Sequence, residues 1–224
     1  MVKNIWEQIH LQRAWGRYPN EELVRFIGRN FFDIPEEERK NIEILEVGCG
    51  QGANLWFLAK EGFDVYGMDI SPSAIEKAEK YLNDAYNVRA NLKAADAKEL
   101  LYENEFFDIV IDCATIQHLH FKDHGKVYSE IYRILKSTSY FWSFHIEKGS
   151  WGYGTGKLIN YETFDNLSEG PLANMEISCT PSDKDLETLL LSRGFKINSI
   201  EKYSLTYENQ QKAIIHRIIE ARRI

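Results

Sequence analysis

Several features are scarce in this sequence of 224 residues, and each scarcity argues against a class of protein. It has three cysteines, widely spaced and without a Cys-x-x-Cys pair, which argues against a disulfide framework or structural zinc and favours a reducing compartment. No hydrophobic run approaches the roughly 20 residues of a membrane-spanning helix. The first residues lack the apolar stretch and small-residue cleavage site of a signal peptide. We therefore expect a cytoplasmic protein with no membrane partner.

Basic residues are also few relative to acidic ones. The chain has 27 Lys and Arg against 34 Asp and Glu, a formal net charge of −7. Proteins that bind nucleic acids usually carry a basic face, so we expect no nucleic-acid partner. Hydrophobic residues make up 44% of the chain, which at this length is enough for a sizeable core. Composition leaves a monomer and a homodimer equally open.

The hydrophobic pattern divides the chain into an N-terminal helical part and an alternating core. Residues 1–40 are predicted to form a helical cap, and residues 41–224 a Rossmann-like doubly wound α/β core. Seven strands are expected, mostly parallel, with an antiparallel pair at the C-terminal end because no helix separates the last two. Residues 149–180 break the alternation, so we expect a long loop there that serves as a lid or substrate insertion. Ser71 and Ser182 are predicted helix N-caps.

The motif LEVGCGQG lies where the first core strand meets the next helix. Glycines such as Gly48 and Gly50 let the backbone turn tightly and approach a ligand. Asp69, at the second strand end, is placed to accept ribose hydroxyls. Asp96, at the third, is placed to accept the amino group of an adenine. Either acid alone is equally well explained as a helix cap or turn residue, but two at successive strand ends indicate a nucleoside site.

The succession EVGCGQG, MDIS, AADA and FFDIVIDCATIQHL resembles the nucleotide-binding motifs of class I S-adenosylmethionine-dependent methyltransferases. The resemblance covers nearly all of residues 42–224. It implies S-adenosylmethionine as cofactor and methyl transfer by in-line displacement. The cofactor-site residues that it implies in the core are Glu46, Gly48, Cys49, Gly50, Asp69, Ile70, Asp96, Ala97 and Cys113.

The resemblance also implies roles within that set. The backbone of residues 48–50 would lie against the methionine part, with Glu46 supporting the loop, and Ile70 would flank the adenine. Cys113 would lie near the sulfonium and the acceptor. The opening WGRYPNEELVRFIGRNF resembles that of a bacterial small-molecule methyltransferase group. It adds three candidate cofactor contacts, with a guanidinium suited to pair with the methionine carboxylate. They are Trp15, Arg17 and Tyr18.

Two histidines are candidate general bases for the methyl acceptor. His118 follows the fourth strand and His145 ends the fifth, and each is alternatively a structural hydrogen-bonding residue. His120 and His124 are expected to be exposed. No Asp-Asn pair follows the fifth strand, so no metal is predicted. The fourth strand ends in DCAT without the motif of adenine and glutamine amino-group methylases, which favours an oxygen or nitrogen of a small molecule as acceptor.

Three other functions fit parts of the sequence. GCGQGA satisfies the G-x-G-x-x-G/A pattern of a nicotinamide dehydrogenase. The dehydrogenase alternative is disfavoured by three features: Glu46 before the loop, the second acid Asp96, and the strand pair at the C-terminal end. A non-catalytic S-adenosylmethionine-binding regulatory protein and a methyltransferase acting on a macromolecule both remain open.

Overall fold

The computed structural model of the protein describes residues 5–14 and 16–224, so the predicted contact Trp15 lies outside the described residues. The helices are α1 (Ile5–Gln12), α2 (Glu21–Phe31), α3 (Glu36–Arg39), α4 (Leu55–Lys60), α5 (Pro72–Tyr86), α6 (Phe121–Ile134) and α7 (Asp183–Leu191), with a 3-10 turn at Ile116–His118. The strands are β1 (Glu43–Val47), β2 (Asp64–Asp69), β3 (Asn91–Ala94), β4 (Phe107–Cys113), β5 (Leu135–Ile146), β6 (Lys157–Asn160), β7 (Thr163–Asp165), β8 (Ile177–Cys179), β9 (Phe195–Tyr207) and β10 (Lys212–Arg223).

The two predicted N-caps are confirmed, and their chemistry explains where α5 and α7 begin. The Ser71 hydroxyl accepts a hydrogen bond from the Ala74 amide, and Pro72 occupies the first helical position. Ser182 and Asp185 form a capping box, in which each side chain accepts from the other residue's backbone amide. These local contacts satisfy amides that have no partner inside the helix.

A seven-stranded sheet forms the core, as the sequence predicts, and its strand order is β3-β2-β1-β4-β5-β10-β9. β1 pairs in parallel with β2 and β4, and β2 pairs in parallel with β3. β10 runs antiparallel to both β5 and β9, which confirms the antiparallel C-terminal pair. Ile44, Val65 and Ile109 lie side by side in this sheet and are almost fully buried. Burial on both faces explains why the central strands consist of near-continuous apolar residues.

The segment 149–180 is not the loop that the sequence predicts. β6, β7 and β8 form a separate three-stranded antiparallel sheet within it. Phe164, Leu167 and Leu172 form a small buried cluster in this segment, with Ile146 and Tyr153 packed against it. The prediction failed because strands of three or four residues are too short to show a two-residue alternation. The role of this segment as a lid stays a prediction.

The chain divides into two compact units. The first comprises residues up to Cys113 together with 134–136, and the second comprises 114–133 and 137–224. The helices α1 to α3, which the sequence places in an N-terminal cap, belong to the first unit with β1 to β4. Among the helices of the described residues, none has the length and apolar character that crossing a membrane requires.

Candidate active site

The glycine loop is anchored to the end of β2 through its own amides. Gly48 and Gly50 have φ angles of 73° and 52°, a left-handed conformation that glycine adopts without strain. The amides of Gly48 and Cys49 both donate to the Met68 carbonyl, at 2.7 and 2.8 Å. The Gly50 amide donates to Asp69 Oδ2 at 2.9 Å. A ligand at this loop would therefore meet backbone surface and carbonyls, since these three amides are already engaged.

The Cys49 side chain turns away from the loop surface into the core. It is 5% exposed, and burial raises the pKa of its thiol. A Cβ added to Gly67 would come within 2.9 Å of its sulfur and 2.6 Å of Leu55 Cδ1, so Gly67 is required by packing. Sequence analysis missed this glycine because it lies inside a strand, where no turn signals it.

Asp69 is both a structural support of the loop and a candidate ribose ligand. Its carboxylate is 7% exposed, and its second oxygen, Oδ1, accepts from the Ser71 amide at 2.9 Å. Burial raises its pKa, and the hydrogen bonds from Ser71 and Gly50 oppose that rise. Because each carboxylate oxygen accepts more than one hydrogen bond, the support role and the ribose role are compatible. The ribose role stays a prediction.

Glu46 lies under the loop as a buried acid with one oxygen unsatisfied. It is 2% exposed, and its Oε1 accepts from Asn54 Nδ2 at 2.5 Å. Its Oε2 is buried and accepts no hydrogen bond from the described residues. Burial raises its pKa to about 8, and the charges of Asp69 and Asp112 add to the effect. An unsatisfied buried carboxyl oxygen at this position attracts a cationic or hydrogen-bond-donating group.

Asn54 is a site residue that sequence analysis missed. Its side-chain oxygen accepts from the Asn20 amide at 2.8 Å, and Asn20 is the N-cap of α2. Asn54 therefore ties Glu46 to the N-terminal helices, across a sequence separation that no local pattern reveals.

Cys113 also belongs to this cluster, because its thiol contacts the Asn54 amide. Burial and the charge of Glu46 raise the thiol pKa, so Cys113 is unsuited to be a nucleophile.

The candidate adenine residues lie at the ends of β2 and β3. Ile70 is 45% exposed, although the strand that it follows is mostly buried. Asp96 is half-buried and accepts from the Lys98 amide at 2.9 Å, which is the turn arrangement expected as its alternative role. Ala97, which follows it, is buried. The exposed Ile70 offers an apolar surface for a ring, and the adenine roles of all three residues stay predictions.

The Arg17 backbone contacts side chains of α4 and α5. The Arg17 carbonyl accepts from Trp56 Nε1 at 2.9 Å and from the Tyr81 hydroxyl at 2.8 Å. Tyr81 lies about 14 Å along α5 from Pro72, at 1.5 Å per residue. Tyr18 is 78% exposed. The pairing of Arg17 with a methionine carboxylate and the role of Tyr18 as a cofactor contact stay predictions.

In the second unit, His118 has a defined protonation pattern. Its Nδ1 lies 2.9 Å from the Ile177 carbonyl, which accepts and therefore requires the proton on Nδ1. Its Nε2 then accepts from the Gln117 amide nitrogen at 3.3 Å. Burial lowers its pKa to about 4, so His118 is neutral at physiological pH. A neutral imidazole with its lone pair on Nε2 is the form that a general base requires.

Gln117 is a second residue that sequence analysis missed. It is 2% exposed, and its Oε1 accepts from the Ile146 amide at 2.9 Å while its nitrogen faces His118. It thus joins the 3-10 turn to the end of β5. No signal in the sequence identifies it, because glutamine beside a histidine is common on solvent-exposed turns.

Two further histidines of this unit, His145 and His124, are buried, and His120, which was expected to be exposed, is half-buried. His145 is 4% exposed, its Nε2 shares a 2.5 Å hydrogen bond with Ser143, and burial holds its pKa well below the usual range. His124 is 1% exposed, so the expectation that it is exposed was wrong: it lies in the first turn of α6 on its buried side. Within the described part of the chain, no three or more His, Cys, Asp or Glu side chains are placed to hold a metal ion. The role of His145 as a base stays a prediction.

Comparison with known proteins finds a methyltransferase domain in this chain. A methyltransferase-domain family model matches residues 44–138, the stretch from β1 to the beginning of β5. A ubiquinone biosynthesis O-methyltransferase from Azorhizobium caulinodans is 30% identical over 102 residues, 46% of this chain and 39% of the relative. The chain spans about two-fifths of the length of such curated relatives.

Solved structures extend the likeness to most of the chain. An S-adenosylmethionine-dependent methyltransferase from Methanosarcina mazei superposes with a TM-score of 0.67 at 25% identity, covering 81% of this chain and 92% of that one. A magnesium protoporphyrin IX methyltransferase from Synechocystis, solved with bound S-adenosylhomocysteine, has a TM-score of 0.67 at 19% identity, covering 91% and 81%. The second likeness shows the fold alone. Residues 44–138 thus match the methyltransferase-domain family, and the chain as a whole has the fold of S-adenosylmethionine-dependent methyltransferases, enzymes whose cofactor is S-adenosylmethionine.

Proposed function

We propose that this chain transfers a methyl group from S-adenosylmethionine to an oxygen or nitrogen of a small-molecule acceptor. The observation that carries the proposal is the buried Glu46, with one unsatisfied oxygen, beneath a glycine loop that Asp69 supports. Bound S-adenosylmethionine supplies a methyl group made electrophilic by its cationic sulfur.

The residues of the first unit fit this cofactor chemically. Its ammonium and sulfonium groups are cationic, and the unsatisfied Glu46 oxygen is an acceptor that favours such groups. Asp69 retains acceptor capacity for ribose hydroxyls. Ile70, 45% exposed, supplies apolar surface for the adenine. The cofactor thus has a chemical match for each of its three parts: Glu46 for the cationic groups, Asp69 for the ribose and Ile70 for the adenine.

In the second unit, His118 would take the proton from the acceptor. Its Nε2 lone pair is fixed by the Nδ1 hydrogen bond to Ile177, and an acceptor hydroxyl would replace the weak 3.3 Å contact with Gln117. A base with a pKa near 4 removes a proton only as the new carbon–oxygen bond forms, when the hydroxyl becomes strongly acidic. The remaining contribution of the protein is alignment of the acceptor with the methyl group and exclusion of water.

A small acceptor agrees with the acidic composition and with the O-methyltransferase activity that the Azorhizobium relative's name gives. The first supports a small acceptor over a nucleic acid, and the second supports an oxygen atom as the acceptor. The segment 149–180, with its own sheet and apolar cluster, is the part of the second unit that we assign to covering the acceptor.

Two measurements test the proposed function. Calorimetry with S-adenosylhomocysteine should show binding at one site per chain. Incubation with methyl-labelled S-adenosylmethionine and a panel of phenols, enols and amines should then transfer label to at least one compound. Absence of binding would overturn the cofactor assignment. Binding without turnover on any small molecule, nucleic acid or protein would favour a non-catalytic regulatory protein.

A further inference from the structure

The helix α1 is fastened to the glycine-loop region by side chains that lie far away in sequence. Glu7 Oε2 accepts from the Ser71 hydroxyl at 2.5 Å and from the Ser73 amide at 3.2 Å, at the beginning of α5. Lys77, one turn further along α5, donates to the His10 carbonyl. Both ends of α1 are therefore held against the helix that follows the candidate ribose acid.

His10 is the residue of α1 that reaches the glycine loop itself. It is 2% exposed, and its Nδ1 accepts from the Gln51 side-chain nitrogen at 3.1 Å. That nitrogen also donates to the Arg13 carbonyl at 3.0 Å. His10 Cε1 lies 3.6 Å from the position that a Cβ on Gly50 would occupy. The imidazole thus forms a wall over the glycine of the loop, and the charge of Asp69 acts on it.

This arrangement is unusual for a helix that is only structural. An eight-residue helix is marginal by itself, because forming its first turn costs more than its few hydrogen bonds return. α1 packs against α5, and the side chain of α1 that is buried is the polar imidazole of His10. A polar group buried over a ligand-binding loop indicates a contact made with the ligand.

We propose that His10 is a cofactor-binding residue that forms the wall of the site over Gly50, and that Glu7 positions it by holding α1 on the beginning of α5. This inference rests on the proposed function, since it assigns these residues to the S-adenosylmethionine site. It places the N-terminal contribution to the site in α1 and not in the segment that contains Arg17 and Tyr18.

The experiment compares three variants of the full chain by calorimetry with S-adenosylhomocysteine. His10→Ala should weaken binding about tenfold or more, the scale of one lost hydrogen bond together with its packing contact. Glu7→Gln should weaken it less, because α1 remains present but is held less firmly. Gln12→Ala, at the exposed end of the same helix, is the matched control and should bind within twofold of the wild type.

Thermal unfolding without ligand separates binding from structure. If His10→Ala lowers the melting temperature and leaves the affinity unchanged, His10 is structural and the proposal is overturned; tighter binding would also overturn it, because it would mean that His10 obstructs the loop. If His10→Ala fails to fold, His10→Gln retains an acceptor for Gln51 and should show the same loss of affinity. The wild-type affinity, measured first, distinguishes failure of the proposed function from failure of this inference.

A truncated ligand sharpens the assignment. Because His10 lies beside Gly50, whose backbone is assigned to the methionine part of the cofactor, it should contact that part. Methylthioadenosine, which lacks the amino-acid part, should therefore bind the wild type and His10→Ala with similar affinity. An equal loss of affinity for both ligands would contradict the contact with the methionine part.

Discussion

The two compact units hold their candidate site residues by different means. In the first unit the residues lie within two positions of strand ends: Glu46 near the end of β1, Asp69 ending β2, and Cys113 ending β4. In the second unit the important contacts join distant segments, as between His118 and Ile177, 59 residues apart. The carboxyl ends of parallel strands lie at one edge of a sheet, so the candidate residues of the first unit are brought together by the sheet itself. In the second unit, each contact depends on the packing of segments that are distant in sequence.

Their electrostatics differ in the same way. The first unit buries acids beside backbone amides and leaves one oxygen of Glu46 unsatisfied. The second buries the fully enclosed Arg217 and neutralises it with Glu147 and Asp183. A buried acid with an unsatisfied oxygen costs stability and indicates a functional site, whereas a paired buried charge holds its segments in one arrangement.

The largest expected effect is on the pH dependence of stability, from Glu46. A carboxyl with a pKa of about 8 in the folded state retains its proton while the unfolded chain loses its own above pH 4.5. The free energy of unfolding should therefore fall as pH rises from about 4.5 to 8, by up to about 1.4 kcal/mol per pH unit, and level off above. Glu46→Gln should remove most of that slope in urea titrations.

Glu43→Gln, three residues earlier on β1 and half-buried beside Lys136, is the matched control for that measurement. It should leave the slope nearly as in the wild type. An equal loss of slope in both variants would contradict the assignment to Glu46.

Next in size is the loss of the buried cation of the second unit. Arg217→Met leaves Glu147 and Asp183 without their main partner and should lower the free energy of unfolding by about 3–5 kcal/mol. Lys202→Met removes the half-buried cation directly opposite Arg217 on β9, and should cost less than about 1 kcal/mol. Equal losses would show that burial of the cation does not matter.

His118→Ala should reduce turnover about 100-fold, the usual contribution of a general base, without changing affinity for S-adenosylhomocysteine. Because the pKa of His118 is about 4, activity of the wild type should not fall between pH 7 and 5 through this group. Gln117→Leu removes a donor that favours the neutral ring and should move the acidic limb of the pH profile upward. His145→Ala should be measured in the same assay. If only this variant abolished turnover, His145 and not His118 would be the general base.

The smallest expected effect is on cofactor affinity. Asp69→Ala removes charge-assisted hydrogen bonds worth about 1.5–3 kcal/mol and should weaken S-adenosylhomocysteine binding at least tenfold by calorimetry. Asp84→Ala, on the exposed side of α5, should leave the affinity unchanged. Unchanged affinity in the Asp69 variant would remove it from the nucleoside site.

Local signals made the first unit predictable. Glycines between an apolar strand and a helix, and acids at successive strand ends, are patterns over a few residues, and they made Glu46, Gly50 and Asp69 candidates. The same approach failed for the segment 149–180, whose strands are too short to show a period, and for His124, whose burial depends on what packs against α6.

The sequence by itself determined the sheet, its parallel core and its antiparallel end. Strand-like apolar segments that alternate with helical segments, and the residues that cap helices, are patterns formed by residues close together in the chain. Only the tertiary structure decided which side chains complete the site. Asn54 joins Glu46 to α2, His10 covers Gly50, and Gln117 faces His118 because the fold brings them together. A hydrogen bond requires atoms within about 3 Å, and no spacing along the chain encodes that proximity.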